Sequence, residues 1–165
     1  MASRRIRSRH ASVVMALRSA ASAAVACFAV GVALAQSPQG PSTSSAVSPD
    51  VRRGEYLARA GDCVACHTVR GGQAYAGGLE LATPFGSLIT PNITPDRETG
   101  LGSWTEEQIT DYLGTGNKPD GDVAGGLMME VIEGSSAGYK DLTKADRQAI
   151  AKYLKSIPTI KNKID

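Results

Sequence analysis

Apolar and polar positions divide this chain into three regimes. Ser19–Ala35 is small, almost wholly apolar and uncharged. Residues 36–49, QSPQGPSTSSAVSP, reverse the balance with Pro, Ser, Gly and Gln. That composition reads as a flexible linker or disordered arm. From about residue 50 apolar positions recur at helical spacing. Ser48 caps and Pro49 opens a first helix, whose apolar side is Val51, Leu57, Ala58 and Ala60 and which Gly61 ends. Thr105-Glu106-Glu107-Gln108 matches a capping box before Ile109, Tyr112 and Leu113, and Gly114 is expected to stop that helix. A short helix carries Met128 and continues through Glu130 and Val131. Thr143-Lys144-Ala145-Asp146 opens the last, with Ile150, Tyr153, Leu154 and Ile157 in register and Pro158 as terminator.

Between the first two helices lies Gly71–Ser103, rich in Gly, Pro and Thr. A structureless loop of that length is unusual in a compact domain unless it wraps something. The unit from 50 to 160 has the size of one domain, with 161–165 left as a C-terminal tail. A chain so short makes a small core, so a buried apolar group would supply much of the missing surface.

Charge bears on the N-terminus. Arg4, Arg5, Arg7, Arg9 and Arg18 precede or enter the apolar run with no acid among them, and the run closes on Ala33-Leu34-Ala35. A basic region, an apolar region and an A-x-A-like site make residues 1–35 a secretory signal peptide by expectation. An uncleaved anchor is the rival, and the 17-residue run is at the lower edge of what spans a bilayer. Ser3-Arg4-Arg5 is a poor twin-arginine signal, because Arg7 falls where an apolar residue belongs. Cys27 leaves with the leader on this reading, since Ala24-Val25-Ala26 lacks the leucine of a lipoprotein site. The whole chain has 18 basic and 16 acidic residues; residues 36–165 keep 13 and 16, a net of −3. No basic patch points to nucleic acid.

Cys63-Val64-Ala65-Cys66-His67 carries the chemistry. Cys-x-x-Cys-His is the attachment sequence for c-type haem. Two thiols add across the two porphyrin vinyls, and the following His reaches the iron through an imidazole nitrogen. Other readings fare worse. A thioredoxin-like pair needs a βαβ context that does not follow. A structural zinc needs four ligands, and past residue 35 the chain has two Cys and one His. Haem c is attached outside the cytoplasm, so leader and motif agree on the periplasm. One motif and no internal repeat imply one haem.

The sixth ligand follows by elimination among His, Met, Cys and Tyr. No second His remains past residue 35, both Cys are consumed, and tyrosine is rare in this role. Met128 and Met129 are the only methionines there. Either could instead be core filler. Adjacent helical residues point about 100° apart, so one can face iron while the other packs elsewhere.

Five segments together resemble one family: CVACH at 63–67, TPFGSLITPNITPD at 83–96, GLGSW at 100–104, GGLMMEVI at 125–132 and LTKADRQAIAKYLKSIP at 142–158. They are similar to the cytochrome c domains that serve as electron-transfer subunits of periplasmic alcohol, gluconate and sorbitol dehydrogenases. The family's Gly-Pro-Met-Ala-Glu-Val pattern lays its ligand on Met128 and its Glu on Glu130. This chain departs at Met129, where a small residue is common, and in having one domain where those subunits usually carry three.

The expectation is an all-α cytochrome c fold, few helices and long loops around one covalent haem c. Cys63 and Cys66 attach it; His67 and Met128 bind its iron. Residues 83–96 should cover one haem edge, with Pro84 or Pro91 near His67. The protein should be no enzyme but a periplasmic carrier of single electrons from a dehydrogenase to an oxidase or other acceptor. Two alternatives stand: a docking or transfer subunit fixed to a membrane-associated dehydrogenase, and a five-coordinate haem protein binding a gas or peroxide. Membrane association through a partner or an uncleaved leader stays open.

Overall fold

In a computed structural model, residues 47–164 are described. The expected leader at 1–35, with Cys27, and the linker up to residue 46 lie outside them. Five α-helices, one 3₁₀ turn and one hairpin follow in order. Helix α1 spans Pro49–Ala60. The Ser48 hydroxyl accepts from the Val51 amide, Asp50 sits in the first turn and Arg59 in the last, each complementing the helix dipole. Helix α2 is the single turn Cys63–Cys66. Strands β1, Glu80–Thr83, and β2, Gly86–Ile89, pair antiparallel with Leu81 opposite Leu88. Helix α3 spans Glu106–Thr115, α4 Gly126–Glu133 and α5 Lys144–Ser156, with the 3₁₀ turn Tyr139–Asp141 before α5.

The core forms where α1 and α3 pack on α5. Ala58, Ile109, Leu113, Ile150, Ala151 and Leu154 are its buried apolar members. Contact between α1 and α5 is close because Gly54 has no side chain. A Cβ there would stand 1.9 Å from the Ala149 carbonyl oxygen. Arg53 spans the same interface to Asp146 at 2.5 Å, and Lys152 pairs with Asp50.

Two expectations need correction. Helix α3 does not stop at Gly114; it runs to Thr115, and Gly116, at φ +76°, is the left-handed cap. Gly114 serves space instead, since a Cβ there would lie 3.0 Å from the Arg147 guanidinium. The capping box at Thr105 is present in both directions, 3.1 Å and 2.8 Å. The second correction is that Gly71–Ser103 is not structureless. It contains the β1–β2 hairpin, closed by Thr83, whose hydroxyl donates to the Gly86 carbonyl at 2.6 Å and accepts from the Phe85 amide. Four-residue strands around Pro84 leave too little alternation to read. Five helices with so little strand fit an all-α cytochrome c fold.

Candidate functional site

A cavity of about 430 Å³ lies among helices α2 to α5 and the loop residues between Pro91 and Trp104. Its walls are mainly apolar: Leu101, Trp104, Ile109, Leu113, Ile150 and Leu154. Cys63, Cys66 and His67 border it from the turn of α2, and Met128 and Val131 from α4. The four residues singled out in the sequence therefore share one cavity, although Met128 is 61 positions from His67.

Each is placed by local structure. The left-handed Asp62, at φ +57°, turns the chain sharply out of α1, and the single turn of α2 follows. Cys63 is buried and Cys66 exposed, and the two form no disulfide. Burial pushes the Cys63 thiol above its ordinary pKa. The His67 ring is held at 2.8 Å between Nδ1 and the carbonyl oxygen of Pro91. A carbonyl only accepts, so Nδ1 carries the proton and Nε2 keeps its lone pair. Burial lowers the His67 pKa, which favours that neutral form, while the bond to Pro91 opposes it. Gly77 allows the approach: at φ +74° its absent Cβ would fall 2.5 Å from the Pro91 oxygen.

The Pro91 segment is itself fastened. Asn92, only 3% exposed, donates to the Thr99 hydroxyl at 2.9 Å and to the Ile160 carbonyl at 2.7 Å. Its Oδ1 accepts from the Thr94 amide and hydroxyl. Asn162 adds a bond to the Ala76 carbonyl at 2.9 Å. The Lys155 ammonium donates to the carbonyls of Leu101, Gly102 and Trp104, which fixes the loop that carries the Trp104 wall.

Of the loop 83–96, Pro91, Asn92 and Ile93 border the cavity. Residues 83–90 do not, and Leu88 packs instead near Gly126 at the start of α4. The two methionines diverge. Met128 borders the cavity, whereas the Met129 methyl packs on Gly116, 2.6 Å from where a Cβ would stand. Tyr112 and Tyr139 also line the wall and were not read as site residues. For Tyr112 the signal was its place on the apolar side of α3; for Tyr139, between a Gly-rich turn and a helix cap, no pattern pointed to it.

The residues present suit a covalent haem. The cavity lies within the range of small-molecule sites. Its lining is apolar, two free thiols and an oriented imidazole share one wall, and a thioether borders it from another element. A bare ion fits less well, since no group of three or more His, Cys, Asp or Glu among the described residues could hold one.

The sequence profile of the Cytochrome c family matches residues 51–158. The chain belongs to the cytochrome c family. Membership implies covalently bound haem c, and it accounts for the thiol pair and its following His within one cavity. The chain is 54% identical over 72 residues to the gluconate 2-dehydrogenase cytochrome c subunit of Pantoea cypripedii, 44% of this chain and 16% of that protein. It is 39% identical over 132 residues to the alcohol dehydrogenase (quinone) cytochrome c subunit of Gluconacetobacter polyoxogenes, 80% of this chain and 26% of that one. It is 45% identical over 85 residues to the fructose dehydrogenase cytochrome subunit of Gluconobacter japonicus, 51% of this chain and 18% of that one. The chain thus spans about a quarter or less of the length of these relatives.

Proposed function

We propose that this cytochrome c domain holds one haem c and passes single electrons in the periplasm from a dehydrogenase to a respiratory acceptor. Cys63 and Cys66 would carry the thioethers, and His67 through Nε2 and Met128 through Sδ would hold the iron. The observation that carries the reading is the shared cavity: the Cys-x-x-Cys-His turn and Met128, on separate elements, border one apolar space. Bound haem supplies one-electron chemistry at iron. The chain orients the imidazole through Pro91, offers a neutral thioether from Met128, and would keep water from the site with the Leu101, Ile109 and Leu154 walls. A neutral sulfur ligand favours ferrous iron and raises the potential. On this reading the protein is a carrier: one electron enters and leaves, and no bond to a substrate is made.

The relatives named as dehydrogenase cytochrome subunits favour a dehydrogenase as electron donor. They also favour a second reading, in which this chain is a permanently docked subunit. Size-exclusion chromatography of the protein from its native membrane and periplasmic fractions separates the two: a carrier runs alone, a subunit with its dehydrogenase. The test of the common core is an anaerobic redox titration of the purified protein. It should show one reversible one-electron step, one acid–acetone-resistant haem per chain, and no prompt reaction with carbon monoxide. Immediate carbon monoxide binding by the wild type contradicts the electron-carrier reading and favours a five-coordinate gas-binding protein.

A further inference from the structure

Tyr139 reaches the attachment turn from a distant part of the chain. Its hydroxyl donates to the Gly61 carbonyl and lies 3.5 Å from Cys63 Sγ. Both partners precede it by more than 70 residues. The approach depends on Gly61, because a Cβ there would stand 2.4 Å from the Tyr139 oxygen. The tyrosine is also fixed from behind. Arg147 donates to the carbonyls of Lys140 and Leu142, and Asp141 accepts from the Gly138 amide at 2.9 Å. The ring borders the cavity.

A tyrosine hydroxyl has one proton and can accept as well as donate. With a free Cys63 thiol, S–H can donate to the hydroxyl oxygen while O–H donates to Gly61. When the thiol adds to a vinyl, the S–H bond breaks, an S–C bond forms and the hydrogen ends on the other vinyl carbon. The sulfur can then only accept, and so can the Gly61 carbonyl. A single hydroxyl proton faces two acceptors, of which the carbonyl is the stronger.

We propose that Tyr139 is a positioning residue that tunes the haem: its proton stays on the Gly61 carbonyl and its oxygen turns the negative end of the O–H dipole toward the Cys63 thioether. This rests on the haem c reading above. The negative end beside a sulfur bonded to the porphyrin favours ferric iron. Removing it shifts the balance toward ferrous iron. A hydrogen-bond-sized dipole effect is about 1 kcal/mol, or about fivefold in the ferrous-to-ferric ratio. At 59 mV per tenfold for one electron, that is a rise of about 40 mV.

The experiment measures midpoint potentials of holoprotein variants beside haem retention after acid–acetone and the far-red absorption of a methionine-ligated ferric haem. Tyr139→Phe should raise the potential about fivefold in ratio with haem and far-red band intact. Gly61→Ala, at an ordinary φ of −89°, should displace the hydroxyl and raise it in the same direction. It also decides the matter should Tyr139→Phe fail to fold. Tyr153→Phe removes a buried hydroxyl that bonds Tyr75 at 3.2 Å but does not border the cavity, and should leave the potential within twofold. An unchanged potential in Tyr139→Phe with haem and band intact overturns the proposal. A fall overturns it too, since it would place the proton on the sulfur. Wild-type protein that releases its haem into acid–acetone refutes the haem c reading itself, independently of Tyr139.

Discussion

Replacing Asn92 by Ala tests how the Pro91 segment is held against His67. The carboxamide makes four bonds, at 2.9 and 2.7 Å as donor and at 2.9 and 2.8 Å as acceptor. Not all four partners are stranded by its loss. The Ile160 carbonyl keeps the Thr94 hydroxyl at 3.0 Å, and the Thr99 hydroxyl keeps Asp96 at 2.7 Å and the Asn162 amide at 3.1 Å. The Thr94 amide alone is orphaned, in a residue with no exposed surface. An orphaned buried donor costs about 1–3 kcal/mol and a lost satisfied bond about 1 kcal/mol net, so the change should cost about 3 kcal/mol. At about 4 °C per kcal/mol for a domain of this size, Tm should fall by about 12 °C. Urea unfolding followed by far-UV circular dichroism measures it. Asn117→Ala, an exposed site whose side chain makes no hydrogen bond, should cost less than about 0.5 kcal/mol. A loss below about 1 kcal/mol for Asn92→Ala refutes the reasoning, because the Thr94 amide would then have found another partner.

Two further predictions concern stability. Gly54→Ala should destabilise by about 3 kcal/mol or more in the same unfolding assay, because its Cβ would sit 1.9 Å from the Ala149 oxygen and drive α1 from α5; a neutral result would mean that the helices separate freely. The Arg53 hydrogen bond holds the Asp146 carboxyl below its ordinary value of 3.8, so the pair's contribution is present above that pH and is lost as pH falls through the lower folded-state value. Asp146→Asn should therefore be less stable than wild type at pH 7, with the difference closing below pH 3.8, as read from urea midpoints across pH.

What was legible in the sequence was chemistry with a fixed spacing. Cys63, Cys66 and His67 are adjacent, and caps at Ser48, Thr105 and Thr143 announce helices through side-chain bonds only three residues long. The hairpin was not legible, since its strands are too short for alternation and its turn is Pro84-Phe85 in place of an Asn-Gly. Gly114 misled because local propensity treats it as a stop, whereas its absent side chain makes room for Arg147 from another helix. Of the two prolines expected near His67, Pro91 is the one whose carbonyl meets the ring, whereas Tyr139 reaches the site through a tertiary contact that no local pattern encodes. Sequence alone left Met128 and Met129 as equal choices by elimination; resemblance preferred Met128, which borders the cavity while Met129 packs on Gly116.

The identity of the sulfur on the iron tests the central claim most directly. Met128→Ala and Met129→Ala are purified as holoproteins, and the far-red band of the ferric form and carbon monoxide binding by the ferrous form are recorded beside wild type. The wild type should show the band and resist carbon monoxide. Met128→Ala should lose the band, bind carbon monoxide and fall in potential, while Met129→Ala keeps the band and loses only packing against Gly116. Loss of the band in Met129→Ala with its retention in Met128→Ala would contradict the account.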